Sequence, residues 1–276
     1  MEKNTPLSGR LALVTGAAQG IGAAIARRLA ADGADVAVND LTEGEKLAEV
    51  VAATGGFPAV GDVSAPDVAT LVDAIESDRG PVDVLVCNAA YMSMAPFVDD
   101  ERLREEQLND DTDERLREEQ STEDDWWRVV EVNLAGTFRL IQAVLPGMRR
   151  SGGGNIVVIA SEWGVIGWPE ASAYSASKAG LIALVKTLGR ELAPANITVN
   201  AVAPGVVDTP QLLVDAASAG VSLDEMRRRY GTDIPMGRIG RPEEIASAVA
   251  LLARNDVGAM VGQTLQINGG STRCRV

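Results

Sequence analysis

The chain has 276 residues, of which 46% are hydrophobic and 23% charged, and its formal net charge is −14. This composition is typical of a folded globular protein of about one large domain, and it excludes a wholly disordered, collagen-like or disulfide-rich chain. The acidic charge also argues against nucleic-acid binding and against an anionic membrane surface, because both are themselves anionic.

The usage of histidine and cysteine narrows the chemistry further. The chain has no histidine, which excludes a histidine base and most catalytic zinc sites, so we expect no metal centre. Its two cysteines, Cys87 and Cys274, are too few for a disulfide framework and indicate a reducing compartment. The N-terminal segment lacks the apolar core of a signal peptide, and no apolar stretch approaches the roughly 18 residues that span a bilayer. We therefore expect a cytoplasmic protein.

Predicted strands and helices alternate along the whole chain. Short β-branched and apolar runs predict strands at Leu11–Val14, Asp35–Val38, Val82–Val86, Ile156–Ile159, Ile197–Val202 and Thr264–Ile267. Helical patterns fall between them, at about 21–31, 43–53, 65–77, 122–150, 172–192 and 242–253. Because the strands are apolar throughout, they favour a parallel sheet covered on both faces. We predict one α/β domain over residues 1–276, with a doubly wound, Rossmann-like parallel sheet.

Three of the predicted helices carry sequence signals at their starts. Ser64 with Asp67, and Thr122 with Asp125, have the spacing of a capping box. Pro242, followed by two glutamates, is typical of a first helical turn.

An acidic repeat interrupts the alternation. The octapeptide DERLREEQ occurs at 100–107 and again at 113–120, within a segment (99–125) that holds fourteen acidic and four basic residues. Two copies are too few for a repeat architecture. A solvated insertion with Glu/Arg pairs at helical spacing is one interpretation, and a flap or partner-binding surface is the other.

The first strand runs into the sequence TGAAQGIG at 15–22, which opens a helix. Glycines let a backbone approach a pyrophosphate closely, and a helix N-terminus offers unpaired N–H groups to it. Asp40 ends the second strand 18 residues after Gly22, where an acid can accept hydrogen bonds from ribose hydroxyls and repel a 2′-phosphate. A tight loop and a capping aspartate are the plainer interpretations of these two features.

Tyr174 and Lys178 lie four residues apart in a predicted helix and therefore share one face. A nearby ammonium favours the phenolate and lowers the pKa of the tyrosine, which makes Tyr174 a candidate general acid/base in a chain without histidine. Ser161, 13 residues upstream at a strand end, is a candidate partner for the substrate oxygen. Asn133 lies inside an otherwise apolar helix, which favours a buried polar role. The Tyr-x-x-x-Lys spacing alone also occurs by chance.

Taken together, the motifs resemble those of the short-chain dehydrogenases/reductases, over nearly the whole chain from Leu11 to Gly270. The resemblance rests on TGAAQGIG (15–22), Asp62–Val63, CNAA (87–90), Asn133, Ser161, YSASK (174–178), PGVVDT (204–209) and QTLQINGG (263–270). The resemblance implies that Tyr174 is the acid/base, that Ser161 polarises the carbonyl and that Lys178 holds the nicotinamide ribose. It also implies that Asn133 anchors a water of the proton relay.

The resemblance further implies a nicotinamide cofactor, with NAD preferred over NADP because of Asp40. The implied cofactor-binding residues are Gly16, Gln19, Gly20, Ile21, Gly22, Asp40, Leu41, Asp62, Val63, Asn88, Ala89, Ala90, Tyr174, Lys178, Pro204, Gly205, Val207 and Thr209. Two positions depart from the family pattern. Ala90 stands where the family usually has glycine. Cys87 stands where the family often has asparagine, and we interpret it as a small core residue.

The expected reaction is the interconversion of a secondary alcohol and a ketone. The resemblance implies a homotetramer and a substrate lid at about 206–238, and the aromatic and methionine residues near the site favour an apolar or aromatic small-molecule substrate. Two alternatives remain open. One is an NADPH-dependent 3-oxoacyl carrier-protein reductase, and the other is a non-catalytic protein that senses a dinucleotide.

Overall fold

A computed structural model describes residues 5–97 and 122–272 of the protein. Within these ranges, seven strands form one parallel sheet in the order β3-β2-β1-β4-β5-β6-β7. The strands are β1 (Leu11–Val14), β2 (Asp35–Asp40), β3 (Phe57–Val60), β4 (Val84–Cys87), β5 (Gly154–Ile159), β6 (Ile197–Pro204) and β7 (Thr264–Ile267). The predicted doubly wound α/β domain is confirmed.

Helices cover both faces of the sheet. Those described are α1 (Gly20–Ala31), α2 (Glu45–Thr54), α3 (Ala69–Arg79), α4 (Glu123–Val130), α5 (Gly136–Ser151), α6 (Trp163–Ile166), α7 (Ser172–Leu192), α8 (Gln211–Ser218), α9 (Leu223–Thr232) and α10 (Pro242–Leu252). Helices α1, α2 and α10 contribute to one apolar core, and α3, α5 and α7 contribute to the other. Neighbouring residues of β5 alternate between the two cores, since Val157 packs in the first and Ile156 and Val158 in the second.

The strand β3 is not among the sequence predictions. It lies at the edge of the sheet, where it pairs only with β2. Pro58 occupies its second position, and a proline is tolerated there because an edge strand leaves one side unpaired. Phe57 and Ala59 alternate with more exposed neighbours, so the strand lacks the continuous apolar run of the central strands.

The expected capping box at Ser64 and Asp67 is wrong. Helix α3 begins at Ala69 without a side-chain cap, and Ser64 instead donates hydrogen bonds to the Asp62 carboxylate from its backbone N–H (2.8 Å) and its hydroxyl (2.6 Å). This Asx-type turn competes with helix initiation, which delays the start of α3.

The other two helix starts are confirmed. The Asp125 N–H donates to Thr122 Oγ1 at 3.1 Å before α4, and the Glu244 carboxylate accepts from the Arg241 N–H at 2.8 Å at the start of α10.

The predicted helix at 122–150 is one helical run of three parts. A five-residue π-helical segment (Glu131–Ala135) separates α4 from α5, and Asn133 lies in its centre. Such π segments are often found at functional sites.

The segment predicted as a lid contains α8 and α9, which share a small core of Leu212, Ala216, Met226, Ile234 and Ile239. Most of the acidic insertion lies outside the described residues. Among the residues with a described structure, no helix is long and apolar enough to cross a membrane.

Candidate active site

The predicted site residues gather at the carboxyl ends of the strands, beside the switch point of the sheet. Strands β1 and β4 are neighbours there, and the chain continues from them toward opposite edges of the sheet. In open α/β sheets this arrangement leaves a crevice that binds ligands. The glycine turn follows β1, Asn88 follows β4 and Ser161 follows β5, so all three border one crevice.

The glycine turn has a backbone that side chains would obstruct. Gly16 and Gly20 have φ angles of 61° and 58°, in the left-handed region that favours glycine. A Cβ atom on Gly22 would lie 2.3 Å from the Gly16 carbonyl oxygen and 2.6 Å from Asn88 Nδ2. That amide nitrogen donates to the carbonyl of Thr15 at 2.9 Å and to that of Gly16 at 3.1 Å, so Asn88 fixes the turn from the neighbouring strand.

The N-terminus of α1 suits the diphosphate of a dinucleotide. The first bond within this helical turn joins the Ala23 N–H to the Gln19 carbonyl at 3.2 Å. The N–H groups of Gly20, Ile21 and Gly22 therefore have no intrahelical partner, and they lie at the positive end of the helix dipole. The backbone at these glycines leaves an approach for phosphate oxygens, so the residues present fit this part of the cofactor.

Asp40 is held against the glycine turn. Its carboxylate accepts a hydrogen bond from the Ala18 N–H at 3.0 Å and another from the Leu41 N–H at 2.8 Å, which sets a negative charge at the end of β2. Leu41 itself is 61% exposed, so its side chain is free to cover a flat ligand. Lys46 reaches the same region, because its Nζ donates to Gln19 Oε1 at 2.7 Å. Lys46 is not among the residues that the sequence predicts, because it comes close to the turn only through the start of α2.

The remaining predicted cofactor residues lie in the loops after β3, β4 and β6. Asp62 and Val63 follow β3, and the buried Asn39 supports this loop through bonds to the carbonyls of Ala59 (2.7 Å) and Gly61 (3.1 Å). Ala89 packs against Gly16, where an added Cβ would lie 2.8 Å from Ala89 Cα.

Ala90 follows in the same loop after β4. Pro204 ends β6, and Gly205 and Val207 continue from it. Thr209 lies beside Gly20, since a Cβ added to Gly20 would be 3.6 Å from Thr209 Cβ. These predicted cofactor residues thus follow the carboxyl ends of the strands β4 and β6, on the same side of the sheet as the glycine turn.

Ser161, Tyr174 and Lys178 converge at the end of β5. The hydroxyl of Ser161 lies close enough to the Tyr174 phenol to lower its pKa, and Lys178 is 2% exposed beside them. The Lys178 ammonium donates to the Ile159 carbonyl at 2.8 Å and lies 5.4 Å from the centroid of the Tyr174 ring.

The pKa of Tyr174 differs in direction from the sequence expectation. Burial raises the pKa of Tyr174 above its ordinary value, and the nearby hydroxyl of Ser161 only partly opposes this effect. The expected lowering of the Tyr174 pKa is therefore wrong, because the loss of water around the phenol disfavours the phenolate. Burial also lowers the pKa of Lys178, to about 8. The thiol of Cys87 is buried nearby with its pKa raised to about 12, as befits a core residue.

Asn133 connects this site to the opposite wall of the crevice. It is buried, as its position predicts, and its amide exchanges two hydrogen bonds with the backbone of Tyr91 (2.8 and 3.0 Å). The same amide donates to Ser177 Oγ at 3.1 Å, on the helix α7. The π-helical segment therefore ties the loop after β4 to the helix that carries Tyr174.

The chain is similar to known proteins over nearly its whole length. A family model described as enoyl-(acyl carrier protein) reductase matches residues 16–272. A 3-oxoacyl-(acyl-carrier-protein) reductase of Thermotoga maritima is 35% identical over 271 residues, which cover 96% of this chain and 98% of that protein. Nodulation protein G of Rhizobium sp. (strain N33) is 39% identical over 269 residues, which cover 96% and 97% of the two chains.

A solved structure shares the whole fold. The ligand-free aldohexose dehydrogenase of Thermoplasma acidophilum superposes with a TM-score of 0.81 at 30% identity, and the match covers 99% of this chain and 98% of that one. The chain belongs to the short-chain dehydrogenase/reductase family. It is an oxidoreductase of the class that uses a nicotinamide dinucleotide cofactor.

Proposed function

We propose that the protein is an NAD(H)-dependent oxidoreductase that interconverts a secondary alcohol and a ketone. The observation that carries this proposal is the proximity of Ser161 and Tyr174, whose side chains interact beside the buried Lys178 at the carboxyl end of β5. A phenol, a hydroxyl and an ammonium in this order supply a proton donor, an oxygen ligand and a counter-charge. A protein that only sensed a dinucleotide would not need all three.

The reaction needs a hydride acceptor or donor, which is the chemistry that a bound nicotinamide supplies. In the oxidation direction, the phenolate of Tyr174 takes the proton of the substrate hydroxyl, and in reduction the phenol returns it. Ser161 Oγ holds the substrate oxygen in both directions. The positive charge of Lys178 stabilises the phenolate. Asn133 holds α7 in position against the loop after β4, through its hydrogen bonds to Ser177 and to the Tyr91 backbone.

The preference for NAD over NADP rests on Asp40. Its carboxylate, oriented by Ala18 and Leu41, would accept hydrogen bonds from ribose hydroxyls and repel a 2′-phosphate. The hydrogen bonds to these backbone N–H groups keep the charge at the groove, which an unrestrained surface aspartate would not do.

A second candidate is an NADPH-dependent reductase of 3-oxoacyl groups on a carrier protein. Two observations favour it. The relatives from Thermotoga maritima and Escherichia coli are named 3-oxoacyl-(acyl-carrier-protein) reductases, each at 35% identity. The cation of Lys46 also lies at Gln19, within the glycine turn, where a phosphate could recruit it.

The segment 206–238 is proposed as the substrate lid. Its helix α9 is joined to the groove by Arg227, whose guanidinium donates to both carboxylate oxygens of Asp208 at 3.0 and 3.3 Å. Asp208 lies between Val207 and Thr209, which are proposed to contact the cofactor. A movement of α9 would therefore also shift these two residues. We also propose the homotetramer that is usual in the family, which sedimentation velocity of the purified protein would test.

The first experiment is a paired fluorescence titration of the purified protein with NADH and with NADPH. Tighter binding of NADH supports the proposal, and the protein is then assayed with secondary alcohols and NAD. Tighter binding of NADPH favours the second candidate. Binding of neither nucleotide contradicts both.

A further inference from the structure

Two tryptophans form an aromatic ledge beside the proposed catalytic pair. We use this name for Trp163 and Trp168. The backbone N–H of Trp163 donates to Ser161 Oγ at 3.2 Å, and its ring meets the Tyr174 ring edge-on, with centroids 5.9 Å apart and planes at 81°. The first tryptophan therefore touches both members of the catalytic pair.

The second tryptophan extends this surface toward solvent. The rings of Trp163 and Trp168 are stacked, with centroids 5.1 Å apart and planes 5° from parallel. Trp168 is nonetheless 49% exposed, so half of a large apolar ring faces water. An exposed apolar surface that continues a catalytic site is typical of a place where ligand replaces water.

The backbone next to the ledge is strained at Glu170. Glu170 has a φ of 64°, in the left-handed region that non-glycine residues rarely adopt. Its carbonyl accepts the Ala95 N–H at 2.9 Å, which joins the ledge to the loop after β4. Local strain that the surrounding structure sustains is often found at ligand-binding segments.

The charges of the ledge limit what it can hold. Between Trp163 and Glu170 the only ionisable side chain is that of Glu170. The segment 163–170 thus supplies no cation for a carboxylate or phosphate, and the carboxylate of Glu170 repels anions. Because the two rings cover one face of each other, the apolar surface left open is the outer face of Trp168 together with the ring edges.

From this geometry we infer that the ledge selects ketones and secondary alcohols that carry an aromatic ring next to the reacting carbon. With the substrate oxygen at Ser161 and Tyr174, a ring on the adjacent carbon lies against Trp163 and Trp168. This inference rests on the proposed function, and it names the substrate class of the same site.

The test compares an aryl ketone with an alkyl ketone of similar size. We would measure kcat/KM for acetophenone and 2-octanone with the preferred reduced nucleotide, in the wild type and in Trp168→Ala and Trp168→Phe. An aromatic pair contributes about 0.5–1.5 kcal/mol beyond its buried area, so Trp168→Ala should lower the aryl-to-alkyl ratio by roughly twofold to thirteenfold. Trp168→Phe should retain most of the wild-type preference for the aryl ketone, because it keeps an aromatic ring at this position.

Trp127→Ala is the matched control. Trp127 is 56% exposed on α4, and its indole N–H donates to Glu123 at 3.2 Å. Its removal should leave the ratio unchanged. An unchanged ratio in Trp168→Ala, or an equal fall in Trp127→Ala, would overturn the inference.

A binding experiment separates this inference from the proposed function. Tryptophan fluorescence is titrated with 1-phenylethanol, which requires no turnover. Quenching that is lost in Trp168→Ala but kept in Trp127→Ala supports the ledge, even if neither ketone is reduced and the proposed reaction is thereby rejected. If the wild type reduces ketones but shows no Trp168-dependent quenching, the proposed function stands and the ledge inference fails.

Discussion

The carboxylate of Glu162 accepts a hydrogen bond from the hydroxyl of Ser271, which joins the loop after β5 to the turn after β7. The Glu162 N–H donates to the Pro204 carbonyl at 3.0 Å. One residue thus connects the carboxyl ends of β5, β6 and β7, next to Ser161. The side chain is 6% exposed, and burial raises its pKa despite the hydrogen bond from Ser271.

Glu162→Gln should change the pH dependence of stability. A carboxyl group whose pKa is raised by folding takes up protons as the chain folds. Its contribution is therefore largest below its ordinary pKa of 4.5 and falls as pH rises through the folded-state pKa. The glutamine amide is a neutral isostere that does not titrate, so we expect the stability of Glu162→Gln relative to wild type to increase from pH about 4, below the ordinary pKa, to pH about 7.

Urea unfolding at both pH values measures this difference. Glu43→Gln, at an exposed position before α2, is the control. A relative stability of Glu162→Gln that does not change with pH would show that Glu162 is not buried as described.

Gly22→Ala should weaken both the fold and nucleotide binding. The new methyl group would lie 2.3 Å from the Gly16 carbonyl oxygen, and overpacking of this kind costs about 1–3 kcal/mol. The glycine turn has to move to relieve the contact, so NADH affinity should fall as well. Gly44→Ala is the matched control, because an added Cβ there meets nothing within 4 Å. Thermal unfolding and NADH titration of both variants check the prediction, and equal behaviour would contradict it.

Asp40→Ala should narrow the preference for NADH over NADPH. A hydrogen bond to a charged group contributes about 1.5–3 kcal/mol, so NADH should bind at least roughly tenfold more weakly. NADPH should lose less, because the repulsion of its 2′-phosphate is removed at the same time. Asp67→Ala, an exposed aspartate before α3, should leave both dissociation constants unchanged. If the ratio of the two constants stays the same in Asp40→Ala, the ribose role of Asp40 is refuted.

Tyr174→Phe should abolish turnover while NADH binding remains close to that of the wild type. A positioned proton donor typically contributes a factor of about 10²–10⁴, so kcat should fall by at least about a hundredfold. Ser175→Ala serves as the control on the same helix, since its buried hydroxyl has no hydrogen-bond partner in the described structure. Stopped assays with the alcohol identified in the substrate screen measure kcat. A Tyr174→Phe enzyme with wild-type activity would contradict the mechanism.

Much of the fold was predictable because most of its strands are short runs of consecutive apolar residues. Ile156, Val157 and Val158 are apolar in succession since β5 is buried on both faces, and this run is visible without any tertiary information. The edge strand β3 has no such run, and Pro58 conceals it further. The π-helical segment around Asn133 also escaped prediction, because a π turn has the same composition as the α-helix that flanks it.

The identity and order of the site motifs could be read from the chain, since the turn after β1 and the Tyr174–Lys178 pair each belong to one short segment. The distant groups that meet these motifs are visible only in the folded molecule. Lys46 reaches Gln19 across 27 residues, Ser271 reaches Glu162 across 109, and the Trp163–Trp168 stack forms against Tyr174. The direction of the Tyr174 pKa shift likewise emerges on folding, because it depends on how much water the surrounding chain removes from the phenol. Motifs within one short segment can be predicted from the sequence, because neighbouring residues form them. Burial and contacts between distant residues depend on how the whole chain packs.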